Sequence, residues 1–252
     1  MKVGSLFSGI GGLELGLEWA GMEVIWQVEW DSFARKVLEK HWLGVPKYED
    51  IKTVDFKSLP RPDLICGGFP CQPVSCAGKR QGDKDERWLW PEFYRAICET
   101  QPRWVLVENV PGLLNIDNGR LFGRILKDLA KSGYNAEWDL LPAAAFGAPH
   151  LRYRLFLIAY PQSFHDIQCF EEKDRRELEK HFESGRCAAQ KWVQVATKFC
   201  GVDDEISKRL DKDRLKCLGN AVVPSVVEWI GKRIIECNNK IEINKEIEII
   251  KK

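Results

Sequence analysis

The stretch Lys2-Val3-Gly4-Ser5-Leu6-Phe7-Ser8-Gly9-Ile10-Gly11-Gly12-Leu13 dictates the fold of this chain. Lys2 to Phe7 reads as a short buried strand, Gly9, Gly11 and Gly12 as a tight turn, and Leu13 to Ala20 as a helix that Gly21 ends. A glycine turn between a first strand and a helix is where an open α/β sheet holds a cofactor, because the backbone can approach closely and helix-terminal N–H groups face the ligand. A second strand, Glu23 to Val28, ends on Glu29, placed about twenty residues beyond the turn for a carboxylate that hydrogen-bonds ribose hydroxyls. Taken alone, the pattern also fits a structural turn followed by a surface acid.

Working outward, strand and helix alternate. Helices are expected at about Ser32 to His41, Trp90 to Glu99 and Leu121 to Ser132, and strands at Leu64 to Cys66 and Trp104 to Val107. Asn135 to Leu141 and the apolar run Leu155 to Ala159 complete what reads as a βαβ series with short connections. The expected architecture is α/β: a doubly wound, mostly parallel sheet with helices on both faces and a small second lobe. Residues 1–161 form the catalytic domain. Residues 162–212, with the charged run Glu171 to Glu177 and the mixed stretch Ala188 to Phe199, form the lobe. Residues 213–238 return to the sheet with Val226, Val227, Ile230 and Ile234 at helical spacing, and 239–252 are a tail expected as an edge or frayed helix.

Composition limits the function. With 252 residues, 44% of them hydrophobic, the chain can bury one full core and carry an appendage. Lys+Arg 38 against Asp+Glu 37 gives a formal charge of only +1, so any nucleic-acid face must be local. Nine cysteines, an odd number without a CxxC pair, suit reduced thiols in a soluble cytoplasmic protein, and no apolar run approaches the roughly 18 residues that cross a bilayer. Cys66, Cys98, Cys200 and Cys237 read as small buried hydrophobes. His165, Cys169, His181 and Cys187 have no pair at ligand spacing to anchor a zinc ion, so no metal is expected.

Four further stretches carry chemistry. Gly67-Gly68-Phe69-Pro70-Cys71-Gln72-Pro73 follows a strand, which puts the Cys71 thiol beyond the strand's carboxyl end, where α/β enzymes keep ligands; there it can act as a nucleophile if its thiolate is favoured. The polar run Ser75 to Arg87, punctuated by Gly78 and Gly82, reads as a loop able to close on phosphates through Lys79, Arg80, Lys84 and Arg87. Glu108, in Glu108-Asn109-Val110, ends the strand beginning at Trp104 and can serve as a general acid. Arg152 and Arg154 alternate where the next strand begins, so both should point to one face as forks for a phosphate and a base carbonyl.

In order and unpermuted, Phe7 to Gly12, Gly67 to Pro73, Glu108-Asn109-Val110, Arg152-x-Arg154 and Gly219-Asn220-Ala221-Val222-Val223-Pro224 resemble the motifs of DNA (cytosine-5) methyltransferases. The resemblance spans nearly all the chain except about 162–212. It implies a Rossmann-like fold, S-adenosyl-L-methionine as cofactor and duplex DNA as partner. By the same resemblance Cys71 adds to carbon 6 of a flipped-out cytosine, Glu108 protonates nitrogen 3, Arg154 holds the base carbonyl and Arg152 anchors nearby backbone. Cofactor contacts fall on Phe7, Gly9, Gly11, Gly12, Glu29, Trp30, Asp50, Ile51, Pro70 and Asn220, and DNA contacts on Gln72, Ser75, Lys79, Arg80 and Arg87. His150 stands where the family has glutamine and Val74 where an aromatic is common. Residues 162–212, the family's target-recognition region, are short here, which implies a short or degenerate site. A monomer is expected, and a cognate restriction endonuclease stays open as a partner.

Rival readings share parts of this pattern. A tRNA cytosine-5 methyltransferase would use the same chemistry, and an idle DNA-binding scaffold would keep the fold without turnover. A nicotinamide oxidoreductase leaves Cys71, Glu108 and Asn220 without a role, and Gly9-Ile10-Gly11-Gly12 lacks its third glycine.

Overall fold

A computed structural model of the chain describes residues 1–70, 88–148, 150–164, 167–173, 176, 178–180, 182, 213 and 216–250, with side chains to 244. Seven strands form one sheet: β1 Lys2–Leu6, β2 Glu23–Val28, β3 Lys47–Tyr48, β4 Leu64–Gly67, β5 Trp104–Asn109, β6 Tyr134–Pro142 and β7 Tyr153–Pro161. Five helices are described here: α1 Gly12–Trp19, α2 Ser32–His41, α3 Trp90–Thr100, α4 Arg120–Lys131 and α5 Pro224–Ile250. The strand order is β3-β2-β1-β4-β5-β7-β6. The chain winds outward from β1 in one direction and from β4 in the other, so the crevice beyond β1 and β4 is the switch point where such sheets bind ligands.

Burial separates the two faces. β4 and β5 are buried along their whole length, as strands covered on both sides must be. One apolar cluster joins α1, α2 and α5 to the sheet through Leu17, Leu38, Val227, Ile230 and Ile234. The other joins α3 and α4 through Phe93, Ile97, Ile125 and Leu129. Local signals set the helices: Asp31 caps α2 by accepting from Phe33 and Ala34 N–H. At Gly11, φ is 91°, and a Cβ would meet the Trp42 ring at 2.3 Å, so both the turn and its packing require glycine.

Two sequence expectations change here. β6 and β7 form an antiparallel hairpin, and β7 is also antiparallel to β5, so the series does not end in a βαβ unit. Among its described residues the linker between them carries only the 3-10 turn Ala143–Phe146, and a parallel return needs a dozen or more residues, usually a helix. Cys98 is exposed on α3, because Trp90, Phe93, Ala96 and Ile97 occupy the inward stripe.

The chain passes Gln162 without leaving the core. Phe164, Ile167, Cys169, Phe170 and Leu178 pack on the α1–α5 face, and the Glu137 carboxylate accepts from the N–H groups of Cys169 at 3.0 Å and Phe170 at 3.2 Å. α5 runs on past Asn238, held by Arg103, which donates to Asn238 Oδ1 at 2.9 Å and pairs with Glu242. No helix among the described residues is long and apolar enough to cross a membrane. The mixed stretch Ala188 to Phe199 lies outside the described residues.

Candidate active site

The turn after β1 is built from left-handed residues: φ is 55° at Phe7, 56° at Gly9 and 91° at Gly11. Glu29, just past β2, holds it by accepting from Gly9 N–H at 2.7 Å and from Asp31 N–H at 2.7 Å. A carboxylate has about four acceptor positions, so Glu29 retains capacity for a diol. Trp30 follows with its side chain 68% exposed, a flat apolar face beside that carboxylate. Trp30, Tyr48, Asp50, Thr53, Val54 and Leu59 line a cleft of about 430 Å³. Asp50 faces its own turn, accepting from Lys52 N–H, and buried Ile51 gives its carbonyl to Arg95. The open indole belongs to this cleft, and the Glu29 carboxylate, outside its lining, stands one residue before it in the chain.

At the carboxyl end of β5 the chemistry changes. Glu108 is buried, with its side chain 11% exposed, and Arg154 Nε lies 3.1 Å from its Oε1. The antiparallel register, Asn109 opposite Leu155, is what sets the start of β7 against the end of β5. Burial pushes the Glu108 carboxyl up to about 7, against the pull of Arg154 and Arg152. Gly68, after β4, comes so close that a Cβ there would stand 2.6 Å from Glu108 Oε2. Asn109 is buried and donates from Nδ2 to the Phe69 carbonyl at 3.1 Å while its Oδ1 accepts from Val110 N–H. That bond holds the chain two residues before Cys71.

Arg152 departs from the expected alternation. It precedes β7 with φ 32°, and its Nη2 donates to the carbonyls of Gly219 at 2.7 Å and Ala221 at 2.8 Å. A left-handed residue breaks the period of two, so the two arginines reach different partners. The segment that Arg152 holds crosses back over the glycine turn. A Cβ on Gly12 would meet the Val222 carbonyl at 2.6 Å, and Lys216 pairs with Asp31 at 2.6 Å. Asn220, in the helical stretch 216–220, is exposed.

A family model for C-5 cytosine-specific DNA methylases matches residues 1–196. The chain belongs to the C-5 cytosine-specific DNA methylase family. The type II methyltransferase M.NgoBI of Neisseria gonorrhoeae is 38% identical over 160 residues, covering 63% of this chain and 50% of the relative. M.FnuDI of Fusobacterium nucleatum is 37% identical over 185 residues, 71% of this chain and 54% of its own. The chain thus spans about half the length of these relatives. Among solved structures, a DNA modification methyltransferase encoded within a prophage (E. coli) superposes with TM-score 0.57 at 31% identity, over 67% of this chain and 49% of that one. Spodoptera frugiperda DNMT2, at 22% identity and TM-score 0.53 over 68% of this chain and 53% of its own, shares the fold.

Within this methylase frame, Phe7, Gly9, Gly11, Gly12, Glu29, Trp30, Asp50, Ile51, Pro70, Glu108 and Arg154 stand along one edge of the sheet, at the carboxyl ends of β1 to β5 and the start of β7. Asn220 belongs to the segment that Arg152 straps across it. Cys71, Gln72, Ser75, Lys79, Arg80 and Arg87 lie outside the described residues. Sequence reading passed over Asn109 as a site residue, although it stood in the quoted Glu108-Asn109-Val110 motif. A buried amide at a strand end is the signal that finds it. It also passed over Lys216, whose partner Asp31 is remote in the chain. Among the described residues no group of three His, Cys, Asp or Glu side chains is disposed to hold a metal ion.

Proposed function

We propose that this methylase transfers a methyl group from S-adenosyl-L-methionine to carbon 5 of a cytosine in duplex DNA. The observation that carries the reading is Glu108: a buried carboxyl near 7, paired with Arg154, at the sheet edge where the described chain reaches Pro70. Such an acid is partly protonated near neutrality and can protonate ring nitrogen 3, while Arg154 orients it and reaches the base carbonyl. Cys71 adds its sulfur to carbon 6, and the electrons of the ring double bond make carbon 5 nucleophilic. Bound S-adenosyl-L-methionine supplies the electrophilic methyl group there, held by the Glu29 carboxylate, the Trp30 ring and the glycine turn. Once the methyl group is on carbon 5 and S-adenosyl-L-homocysteine has left, loss of the carbon 5 proton to a base would expel the Cys71 thiolate, and nitrogen 3 would return its proton to Glu108, which restores the ring and the acid.

The target atom is inaccessible inside a duplex, so the cytosine is turned out, with Gln72 and Ser75 closing behind it and Lys79, Arg80 and Arg87 on phosphates. Residues 1–161 carry the catalysis, a short recognition sequence is read from within 162–212, beyond the part that packs on the core, and 213–238 brace the cofactor turn. The enzyme acts as a cytoplasmic monomer, alone or beside a restriction endonuclease.

Bisulfite sequencing of mixed-sequence DNA treated with the protein and S-adenosyl-L-methionine tests this, beside Cys71→Ser. Protected cytosines in one sequence context, absent with Cys71→Ser, are expected. No protection on DNA, with methyl transfer to tRNA cytosine instead, would replace the substrate; transfer to neither would leave a scaffold.

A further inference from the structure

Beneath the glycine turn lies a closed set of polar side chains that the proposed reaction does not use. Ser5, Glu14, Gln27 and Cys66 are fully buried and Ser8 nearly so. Gln27 Nε2 donates to Glu14 Oε1 at 3.3 Å, and Ser8 Oγ donates to Ser5 Oγ at 3.0 Å. Gln27 Oε1, an acceptor, and Glu14 Oε2, an acceptor while the carboxyl is ionised, make no hydrogen bond of good geometry, with the Ser5 and Ser8 hydroxyls the nearest donors to the carboxyl. An ionised carboxylate only accepts and so offers Gln27 Oε1 nothing, whereas a protonated Glu14 adds a donor to the cluster beside the Ser5 and Ser8 hydroxyls.

Position gives this acid leverage. Ser8 belongs to the turn itself, donating from its N–H to the Val28 carbonyl and accepting from Gly11 N–H. Gln27 lies two residues before Glu29, which holds Gly9. One buried carboxyl at the start of α1 therefore touches the β2 strand that carries the diol acceptor and lies under the turn that carries the glycines.

We infer that Glu14 is a positioning residue for the cofactor turn: its neutral carboxyl holds the turn in the shape that binds S-adenosyl-L-methionine, and its ionisation loosens the turn and weakens binding. The inference rests on the cofactor reading above. Burial raises the Glu14 pKa, outweighing the hydroxyls of Ser5 and Ser8 and the Gln27 amide. Of the groups facing it, Cys66 on β4 is a thiol that burial also pushes up, and Ser5 and Gln27 from β1 and β2 are neutral. Farther along α1, Glu18 is engaged by the Trp42 indole, and α5 presents Pro224 and Val227 to Gly16.

The test is S-adenosyl-L-methionine affinity by calorimetry from about pH 6 to about pH 9 for wild type, Glu14→Gln and Glu14→Ala, with ligand-free melting curves alongside. Wild-type affinity should fall by up to about tenfold per pH unit above the carboxyl's pKa, while Glu14→Gln, the neutral isostere, stays level relative to it and Glu14→Ala binds weakly throughout. Other titrating groups are common to wild type and Glu14→Gln, so the difference isolates this carboxyl. Parallel profiles for those two proteins, or wild-type binding by Glu14→Ala, would overturn the inference. If wild type binds no S-adenosyl-L-methionine at any pH, the cofactor reading falls, and the melts decide the rest: Glu14→Gln melting above wild type only at alkaline pH supports a neutral buried acid, and coincident melts reject it.

Discussion

Two carboxylates stand at strand ends on the same sheet edge, and their surroundings divide the work between them. Glu29 accepts two backbone N–H groups and remains an acceptor, whereas Glu108 is buried against one guanidinium and pushed up to about 7. Arg154 pulls the Glu108 carboxyl toward the charged form, so Arg154→Gln should move the alkaline limb of the kcat/KM profile upward by about one unit or more, as well as lowering activity. An unchanged limb in a steady-state pH series would remove Glu108 as the acid that limb reports. Stability follows the same group. In the unfolded chain Glu108 ionises at its ordinary value and in the folded chain near 7, so its contribution is full at acid pH and lost as pH rises through that window. Glu108→Gln should therefore be the more stable protein at about pH 8, by on the order of 3 kcal/mol in denaturant unfolding, and should converge with wild type near pH 4.

Elements bring these residues into range. The β4 loop passes so close to β5 that Gly68→Ala would drive a methyl group into Glu108 Oε2. That substitution should lower kcat by about a hundredfold, as small misplacements of reacting groups do, with little change in thermal melting. Asn109→Ala severs the tie to the Phe69 carbonyl and should lower kcat with S-adenosyl-L-methionine affinity near wild type, because the glycine turn does not depend on it. A matching loss of cofactor binding, read by calorimetry, would mean that Asn109 supports the whole edge. Some elements were legible in the chain: α2 runs Ser32–His41, as its apolar period indicates. The direction of β7 was not, since alternation of side chains reads the same whichever way a strand runs.

Across the whole molecule, α5 closes one face of the sheet over the helix that begins at the glycine turn. Gly16 on α1 admits the backbone of Pro224, whose carbonyl would lie 2.4 Å from a Cβ, and Ile234 is fully buried between α5 and the sheet. Gly16→Val should cost about 1–3 kcal/mol by overpacking, and Ile234→Ala about 2–5 kcal/mol by leaving a cavity. Of the two, Gly16→Val should also weaken S-adenosyl-L-methionine binding, because it parts α1 from the segment that Arg152 straps across the turn. Equal effects of both on affinity, after correction for unfolding, would show that α5 acts on stability alone.

What the sequence determined by itself is whatever depends on neighbours in the chain: the strand–glycine turn–helix, the acid that ends β2, the alternation that makes the sheet, and the types of residue gathered at its edge. Motif order sufficed to indicate the family, because the succession of strands that the motifs follow is local. Tertiary structure alone decided the hairpin of β6 and β7, the divergence of Arg152 from Arg154, the lift of Glu108 toward neutrality and the burial of Glu14 under the turn. Glu14 illustrates the reason. An acid in the first turn of a helix reads as a surface residue favoured by the helix dipole, and only β1, β2 and β4, arriving from elsewhere in the chain, remove the water that would have kept it charged.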